Sequence, residues 1–182
     1  NTLLRRFTWN RPNGTIKVNE SLCPDDCRMP LNYQQNGIQF LYPDNWKIMD
    51  EQAVSNPPSV TLQSPGTGYW SLTIYPDSFN PEQLVQETVD AIREEYDSVE
   101  VNPMTCSYGD QLASGYHMAF YCLDLIVNAQ AVSLRVGSQT VLFVYQAEDS
   151  EFRQLDPVFE ALAVSVLNHV NDPDQWTPSQ SH

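Results

Sequence analysis

The cysteines are the side chains in this sequence best suited to bind a metal. Cys23 and Cys27 form a Cys-x3-Cys pair, the spacing of half a zinc site, while Cys106 and Cys122 lie far downstream. A structural zinc site needs four nitrogen or sulfur ligands, so the four cysteines complete one only if the N-terminal segment folds across the downstream strands. A Cys23–Cys27 disulfide, or free thiols, is the interpretation we prefer, and the sequence predicts no cofactor.

The histidines and serines do not form a recognisable catalytic arrangement. His117 and Cys122 are five residues apart on one predicted strand, so their side chains point to opposite faces and cannot form a dyad. The sequence contains neither a Gly-x-Ser-x-Gly nucleophile motif nor a Gly-x4-Gly-Lys-[Ser/Thr] phosphate-binding loop. We therefore interpret His117 as a structural histidine and predict that the protein is not an enzyme.

Two pairs of adjacent carboxylates are candidate contacts for a protein partner. Glu94 and Glu95 come late in a predicted helix, where acidic side chains oppose the helix dipole and cost stability. Glu148 and Asp149 follow a predicted strand where the chain turns toward its last helix. The alternative for the first pair is an ordinary solvated face, and for the second pair it is charge that complements a helix N-terminus.

The elements that would position these residues centre on residues 115–147. This stretch predicts three consecutive strands at residues 116–125, 131–136 and 140–146. Gly137-Ser138 predicts a tight turn between the second and third strands. The third strand is apolar on both faces, which is typical of a central strand covered on two sides.

Two amphipathic helices are predicted outside this stretch. The first follows the capping residue Asn80 and has apolar residues at the three- and four-residue spacings of one helix face. The second is predicted to start at Asp156, before Pro157, and to end near Leu167. Pro103 places a further predicted strand near a sheet edge, because proline cannot donate to a ladder. The remaining strands are predicted at residues 38–42, 59–64 and 69–75.

Runs of antiparallel strands with helices inserted between them indicate an α+β protein. We predict an α/β/α sandwich with a mostly antiparallel central sheet of about six or seven strands and two main helices. The sandwich is expected to span residues 37–168. A loosely structured extension that could contain a small hairpin precedes it at residues 1–36, and a flexible tail follows at residues 169–182.

The charge of the chain limits the partners that it can bind. Nine Lys and Arg side chains stand against 23 Asp and Glu side chains, for a net charge of −14. A surface this acidic repels the phosphate backbone, so we predict no binding to nucleic acid. No apolar run approaches the ~20 residues of a membrane helix, so we predict no membrane insertion.

One segment resembles a known family. Residues Phe40-Leu-Tyr-Pro-Asp-Asn-Trp46 resemble the F-x-Y-P-x-x-W opening of PsbP-like domains, and the predicted elements follow the order of that superfamily from about Gly37 to Leu167. The junction at residues 146–149, followed by Phe152 and Phe159, is similar to the last strand-to-helix junction of bacterial members. The resemblance implies a non-enzymatic α/β/α sandwich, on a scaffold shared by photosystem II extrinsic proteins, a Ran-binding import factor, the periplasmic DcrB lipoprotein and secretion-effector chaperones.

Members of this superfamily share a scaffold and not a function, so the resemblance does not identify a partner. We favour a small acidic accessory module that binds an unknown protein partner, as a monomer or weak homodimer, in a compartment that the sequence leaves open. A metal- or carboxylate-dependent hydrolase is an alternative, which would need a deep pocket that gathers two or more acids with His or Cys. The third alternative is a structural domain of a larger protein.

Overall fold

The computed structural model describes residues 29–35, 37–52 and 56–170. These residues form nine strands and two helices. In chain order the elements are β1 (Leu31–Gln35), β2 (Ile38–Tyr42), β3 (Lys47–Gln52), β4 (Ser59–Gln63), β5 (Tyr69–Pro76), α1 (Pro81–Glu95), β6 (Glu100–Tyr108), β7 (Gln111–Cys122), β8 (Leu125–Val136), β9 (Gln139–Glu148) and α2 (Asp149–Val170). Strands β1 and β3 were not predicted from the sequence.

Strand β9 is the middle strand of a seven-stranded sheet with the order β3-β4-β5-β9-β8-β7-β6, in which all neighbours are antiparallel. Val141, Phe143 and Tyr145 pack into the core that α2 covers. Leu142 and Val144 point the other way, into the core that α1 covers. The predicted α/β/α sandwich is therefore confirmed, and so is the central position of the third strand.

The local signals at three further positions are also confirmed. Helix α1 begins at Pro81, and the Asn80 side chain caps it by accepting a hydrogen bond from the Glu82 amide at 2.9 Å. Gly137, with a φ of 58°, opens the turn between β8 and β9. Pro103 lies in β6, an edge strand, where its missing amide proton breaks no ladder.

Strands β1 and β2 form a separate hairpin that covers part of the α2 face of the main sheet. Phe40 of β2 is fully buried, and its ring centroid lies 5.3 Å from that of Trp70 in β5. After β2 the chain turns, and the Trp46 amide donates a hydrogen bond to the Pro43 carbonyl at 3.0 Å. The Trp46 ring then packs edge-on against Phe159 of α2. The residues of the F-x-Y-P-x-x-W segment thus join the hairpin to the helix.

The start of the second helix was predicted wrongly. Helix α2 begins at Asp149 rather than Asp156, and Pro157 lies inside it. The true start is set by Glu148, whose carboxylate accepts hydrogen bonds from two amides of the first turn, as an N-cap does. Within the described residues, neither helix is both long and apolar enough to cross a membrane.

The first two strands of the 115–147 stretch were also divided wrongly. The chain reverses at Leu123-Asp124, so β7 ends at Cys122 and β8 already begins at Leu125. Both turn residues have positive φ angles, 49° and 66°, in the left-handed region that tight hairpin turns require. Glycine or asparagine is usual at such positions, and their absence here hid the turn.

Candidate functional site

The β7–β8 hairpin extends beyond both of its neighbours in the sheet. The ladder between β6 and β7 ends at the pair Glu100–Ala119, and the ladder between β8 and β9 ends at the pair Val127–Glu148. The β7–β8 ladder continues to the pair Cys122–Leu125. Residues 121–126, which we call the hairpin tip, therefore project from one end of the sheet without strands beside them.

The hairpin tip exposes four large apolar side chains. Tyr121 is 68% exposed, Leu123 52%, Leu125 37% and Ile126 45%. Tyr121 and Ile126 are directly opposite each other in the ladder, so their side chains lie together on one face. Phe120 and Cys122 belong to the α1-side core, which places Tyr121 and Ile126 on the α2 side. Clustered apolar exposure of this kind marks an interaction surface more often than isolated exposed residues do.

Glu148 and Asp149 lie beside the hairpin tip on the α2 side. The Glu148 carboxylate accepts hydrogen bonds from the Ser150 and Glu151 amides of α2, and Asp149 accepts one from the Asn128 side chain of β8 at 2.8 Å. Hydrogen bonds from the side chain and amide of Ser150 lower the pKa of Glu148 below its ordinary value. A hydrogen bond from Arg153 does the same for Asp149. Both acids therefore stay charged at neutral pH.

Glu94 and Glu95 lie at the same end of the sheet but on the α1 side. Both are exposed in the last turn of α1. The next residue, Tyr96, stacks on Phe120 at a centroid distance of 4.3 Å, which brings the helix end to the base of the hairpin tip. Burial, with smaller contributions from Cys122 and Glu95, raises the pKa of Tyr96 to about 12. The structure thus brings both predicted carboxylate pairs to the two sides of one apolar projection.

A shallow cleft of about 340 Å³ opens between β7, β8 and the first turns of α2. Its lining comprises His117, Asn128, Asp149, Phe152, Arg153 and Asp156. Two acids and a histidine are the residue types that a carboxylate-dependent hydrolase requires. However, Asp149 is paired with Arg153, and its lowered pKa is the opposite of what a general acid needs. The His117 ring instead lies edge-on to Phe152, which supports its interpretation as a structural residue.

The cysteines in the described structure do not meet. Cys106 packs beside the α2-side core and Cys122 lies in the α1-side core, and both are free thiols. Because they lie on opposite faces of the sheet, they cannot complete one zinc site with Cys23 and Cys27, which are outside the described residues. Across residues 29–35, 37–52 and 56–170, no three His, Cys, Asp or Glu side chains are grouped to hold a metal ion.

Glu151 was not predicted as a site residue, although its side chain joins two distant elements of the fold. Its carboxylate accepts bonds from the Ser64 hydroxyl at 3.0 Å and from the Thr67 amide at 2.6 Å, and it also binds the Thr67 hydroxyl. A β-carbon on Gly66 would collide with this carboxylate, so a larger residue there would force the Glu151 side chain to move. Glu151 therefore fixes the β4–β5 turn against the start of α2. A carboxylate three residues into a helix looks like ordinary N-terminal charge in the sequence.

A buried tyrosine pair lies under α2. The hydroxyl oxygens of Tyr108 and Tyr145 are 3.3 Å apart, and the Tyr145 hydroxyl donates to the Gln130 side chain at 2.7 Å. Burial raises the pKa of both hydroxyls above the ordinary value of 10.0. The fold therefore holds both tyrosines in the neutral form.

We expect this pair to make the fold sensitive to alkali. Because the pKa of each tyrosine is higher in the folded state than in the unfolded chain, the pair contributes its full stabilisation below a pH of about 10. Above that pH the tyrosines of the unfolded chain ionise, and this stabilisation is lost. Urea unfolding from about pH 8 to about pH 11 should show a falling free energy of unfolding, and Tyr145→Phe should make the fall shallower. If the free energy of unfolding fell equally steeply with pH for the wild type and for Tyr145→Phe, the prediction would be contradicted.

Comparison with known proteins agrees with this architecture. No known protein family and no curated protein sequence matches the chain. The solution structure of cyanobacterial PsbP (CyanoP) from Synechocystis sp. PCC 6803 matches with a TM-score of 0.52 and 14% identity, over 80% of this chain and 96% of that chain. The Ran-binding protein Mog1p of Saccharomyces cerevisiae matches with a TM-score of 0.48 and 10% identity, over 82% of this chain and all of that chain (100%).

The architecture defines the class of protein as an antiparallel α/β/α sandwich. More particularly, the chain has the PsbP-like fold, as the segment from Phe40 to Trp46 predicted.

Proposed function

We propose that this protein is a non-catalytic module that binds a protein partner through the hairpin tip and the carboxylates beside it. The observation that carries the proposal is the exposure of Tyr121, Leu123, Leu125 and Ile126 on a hairpin that projects beyond its neighbouring strands. An apolar cluster in this position adds nothing to either core. It would bury substantial apolar area against a partner.

The backbone of the turn supports a role in binding. Leu123 is a bulky residue with a φ of 49°, a conformation that costs it free energy and that glycine or asparagine adopts readily. Strain held by a bulky residue at an exposed turn, where asparagine or glycine would relieve it, is a reason to look for function there. The leucine side chain at the turn thus offers contact area to a partner at the expense of stability.

The charges around the hairpin tip favour a basic partner. Asp124 is in the turn itself, Glu148 and Asp149 lie on one side, and Glu94 and Glu95 lie on the other. The whole chain carries a net charge of −14, which adds a long-range attraction to the local one. We propose that the partner presents apolar side chains among lysines and arginines, since these groups complement the surface.

Replacing the turn residues should separate stability from binding. The double variant Leu123→Asn, Asp124→Gly supplies the residues that a turn with two positive φ angles prefers. We expect it to raise the free energy of unfolding by about 1 kcal/mol, measured in urea, because the strain at Leu123 is relieved. The same variant should bind the partner more weakly. A protein that is less stable than the wild type would show that the leucine supports the fold.

A selection from a random peptide library tests the binding surface directly. Peptides selected on the full wild-type chain should be rich in Lys or Arg together with apolar residues. Their affinity should fall at least about tenfold for the variant Tyr121→Ser, Ile126→Ser, since two apolar contacts are lost. The matched control is Leu112→Ser, because Leu112 is 76% exposed in a strand of the same hairpin but away from its tip.

Each outcome of this selection decides the proposal. Peptides that bind the control and wild type alike but not the hairpin variant would support it. Peptides without positive charge would contradict the proposal that the partner is basic. Peptides that bind all three proteins equally would show that the hairpin tip is not the binding surface.

A further inference from the structure

A second apolar surface lies on the other side of α2. It is a groove of about 480 Å³ between the end of β2 and the middle of α2. The apolar side chains that line it include Leu41, Tyr42, Pro43, Pro157, Val158 and Ala161. Leu41 is 44% exposed, although the amide of the same residue is held to α2 by a hydrogen bond to the Ser165 hydroxyl at 2.8 Å. This hydrogen bond holds β2 to α2 at the groove.

The chain enters the described structure at the edge of this groove. Pro30 is part of the lining, and Met29 beside it is an exposed apolar residue. Residues 1–28 precede this point. An extended chain spans about 3.3 Å per residue, so residues 19–28 reach up to about 33 Å from this point. A tether this short gives an effective concentration on the order of millimolar.

The composition of the first residues complements the rest of the chain. Residues 1–28 hold five of the nine Lys and Arg side chains but only three of the 23 Asp and Glu side chains. No acid occurs before Glu20. The apolar and basic residues alternate along this segment: Leu3, Leu4, Arg5, Arg6, Phe7, Trp9, Arg11, Ile16, Lys17 and Val18. The part of the chain that follows is strongly acidic, and Asp44 contributes a carboxylate to the groove.

We propose that residues 3–18 of this chain bind in the groove between β2 and α2, with Phe7 and Trp9 as the apolar contacts. The covalent tether, the apolar lining and the opposite charges of the two parts favour this occupant over a separate protein. The inference does not depend on the proposed function, because the groove and the hairpin tip share no residue.

Site-specific photo-cross-linking in the full chain tests this inference. Trp9 is replaced by p-benzoylphenylalanine, the protein is irradiated, and the cross-linked residues are mapped by mass spectrometry. We expect a product of monomer mass with cross-links to residues 41–45 or 157–165. The variant Ala161→Lys, which places bulk and positive charge at an exposed position of the groove, should reduce this product about fivefold or more. Leu112→Lys adds the same charge elsewhere and should leave the yield unchanged.

The remaining results would overturn the inference. Cross-links of dimer mass would show that the segment binds a second copy, and cross-links to the hairpin tip would show that it binds the other surface. Equal yields from wild type and Ala161→Lys would show that the groove is not the binding site. If Ala161→Lys loses its near-ultraviolet circular dichroism, Leu41→Ser provides a second groove variant for the same comparison.

Discussion

Replacing Phe143 with alanine is expected to lower the free energy of unfolding by about 3 to 5 kcal/mol, the largest effect of any single substitution considered. Phe143 is fully buried at the centre of β9, in the middle strand of the sheet. Its ring centroid lies 5.8 Å from those of both Trp70 and Tyr108. The neighbours are held by strands on either side, so they cannot close the cavity that the ring would leave.

Urea unfolding of the full chain measures this effect. The control is Leu112→Ala, in which an equally apolar but exposed side chain is removed, and its change should stay within about 0.5 kcal/mol. A loss below about 1 kcal/mol for Phe143→Ala would show that β9 is not the central strand of the folded protein.

The second largest effect is expected for Glu151→Ala, at about 2 kcal/mol. The substitution removes the acceptor for the Ser64 hydroxyl and for the amide and hydroxyl of Thr67. Donors left without a partner in a partly buried turn cost more than the hydrogen bonds themselves contributed. Thermal or urea unfolding should detect the loss, together with faster hydrogen exchange at the Thr67 amide.

Glu160→Ala is the matched control for this prediction. Glu160 is an exposed acid on the same helix. Its removal changes the net charge by the same amount but leaves the hydrogen bonds between Glu151 and the β4–β5 turn intact. If both variants lose the same small amount of stability, Glu151 acts only as surface charge and does not hold the turn.

The parts of the fold that the sequence predicted correctly are those in which one local signal determines the structure. In β9, apolar residues on both faces indicated burial on both sides, and the structure confirms it. At the start of α1, Asn80 and Pro81 occupy the positions that capping chemistry favours. The segment from Phe40 to Trp46 resembled the opening of PsbP-like domains, and in the structure its residues form a strand, a turn and a contact with α2.

The features that the sequence did not predict depend on contacts between distant residues. Leu123 makes a tight turn without glycine, because the long β7–β8 ladder imposes the reversal on it. Pro157 resembles a helix start, but α2 already begins eight residues earlier, at Asp149. The partners of Glu151 are more than 80 residues away in the chain, so no local pattern shows them.

The candidate site was predicted only in part for the same reason. Both carboxylate pairs were recognised as surface charge available to a partner. Their position on the two sides of the hairpin tip follows from the β8–β9 register and from the stacking of Tyr96 on Phe120. The exposure of these apolar side chains was not predicted, because Tyr121, Leu123 and Leu125 were assigned to one continuous strand at residues 116–125 and the turn within it was missed.

We propose that the hairpin tip binds a protein partner. The most direct test is quantitative affinity purification from the source cells with three tagged full-length chains: wild type, Tyr121→Ser with Ile126→Ser, and Leu112→Ser. We predict proteins that wild type and the Leu112→Ser control retain equally, and that the hairpin variant loses at least about tenfold. If all three chains retain the same proteins in the same amounts, the hairpin tip is not the binding surface.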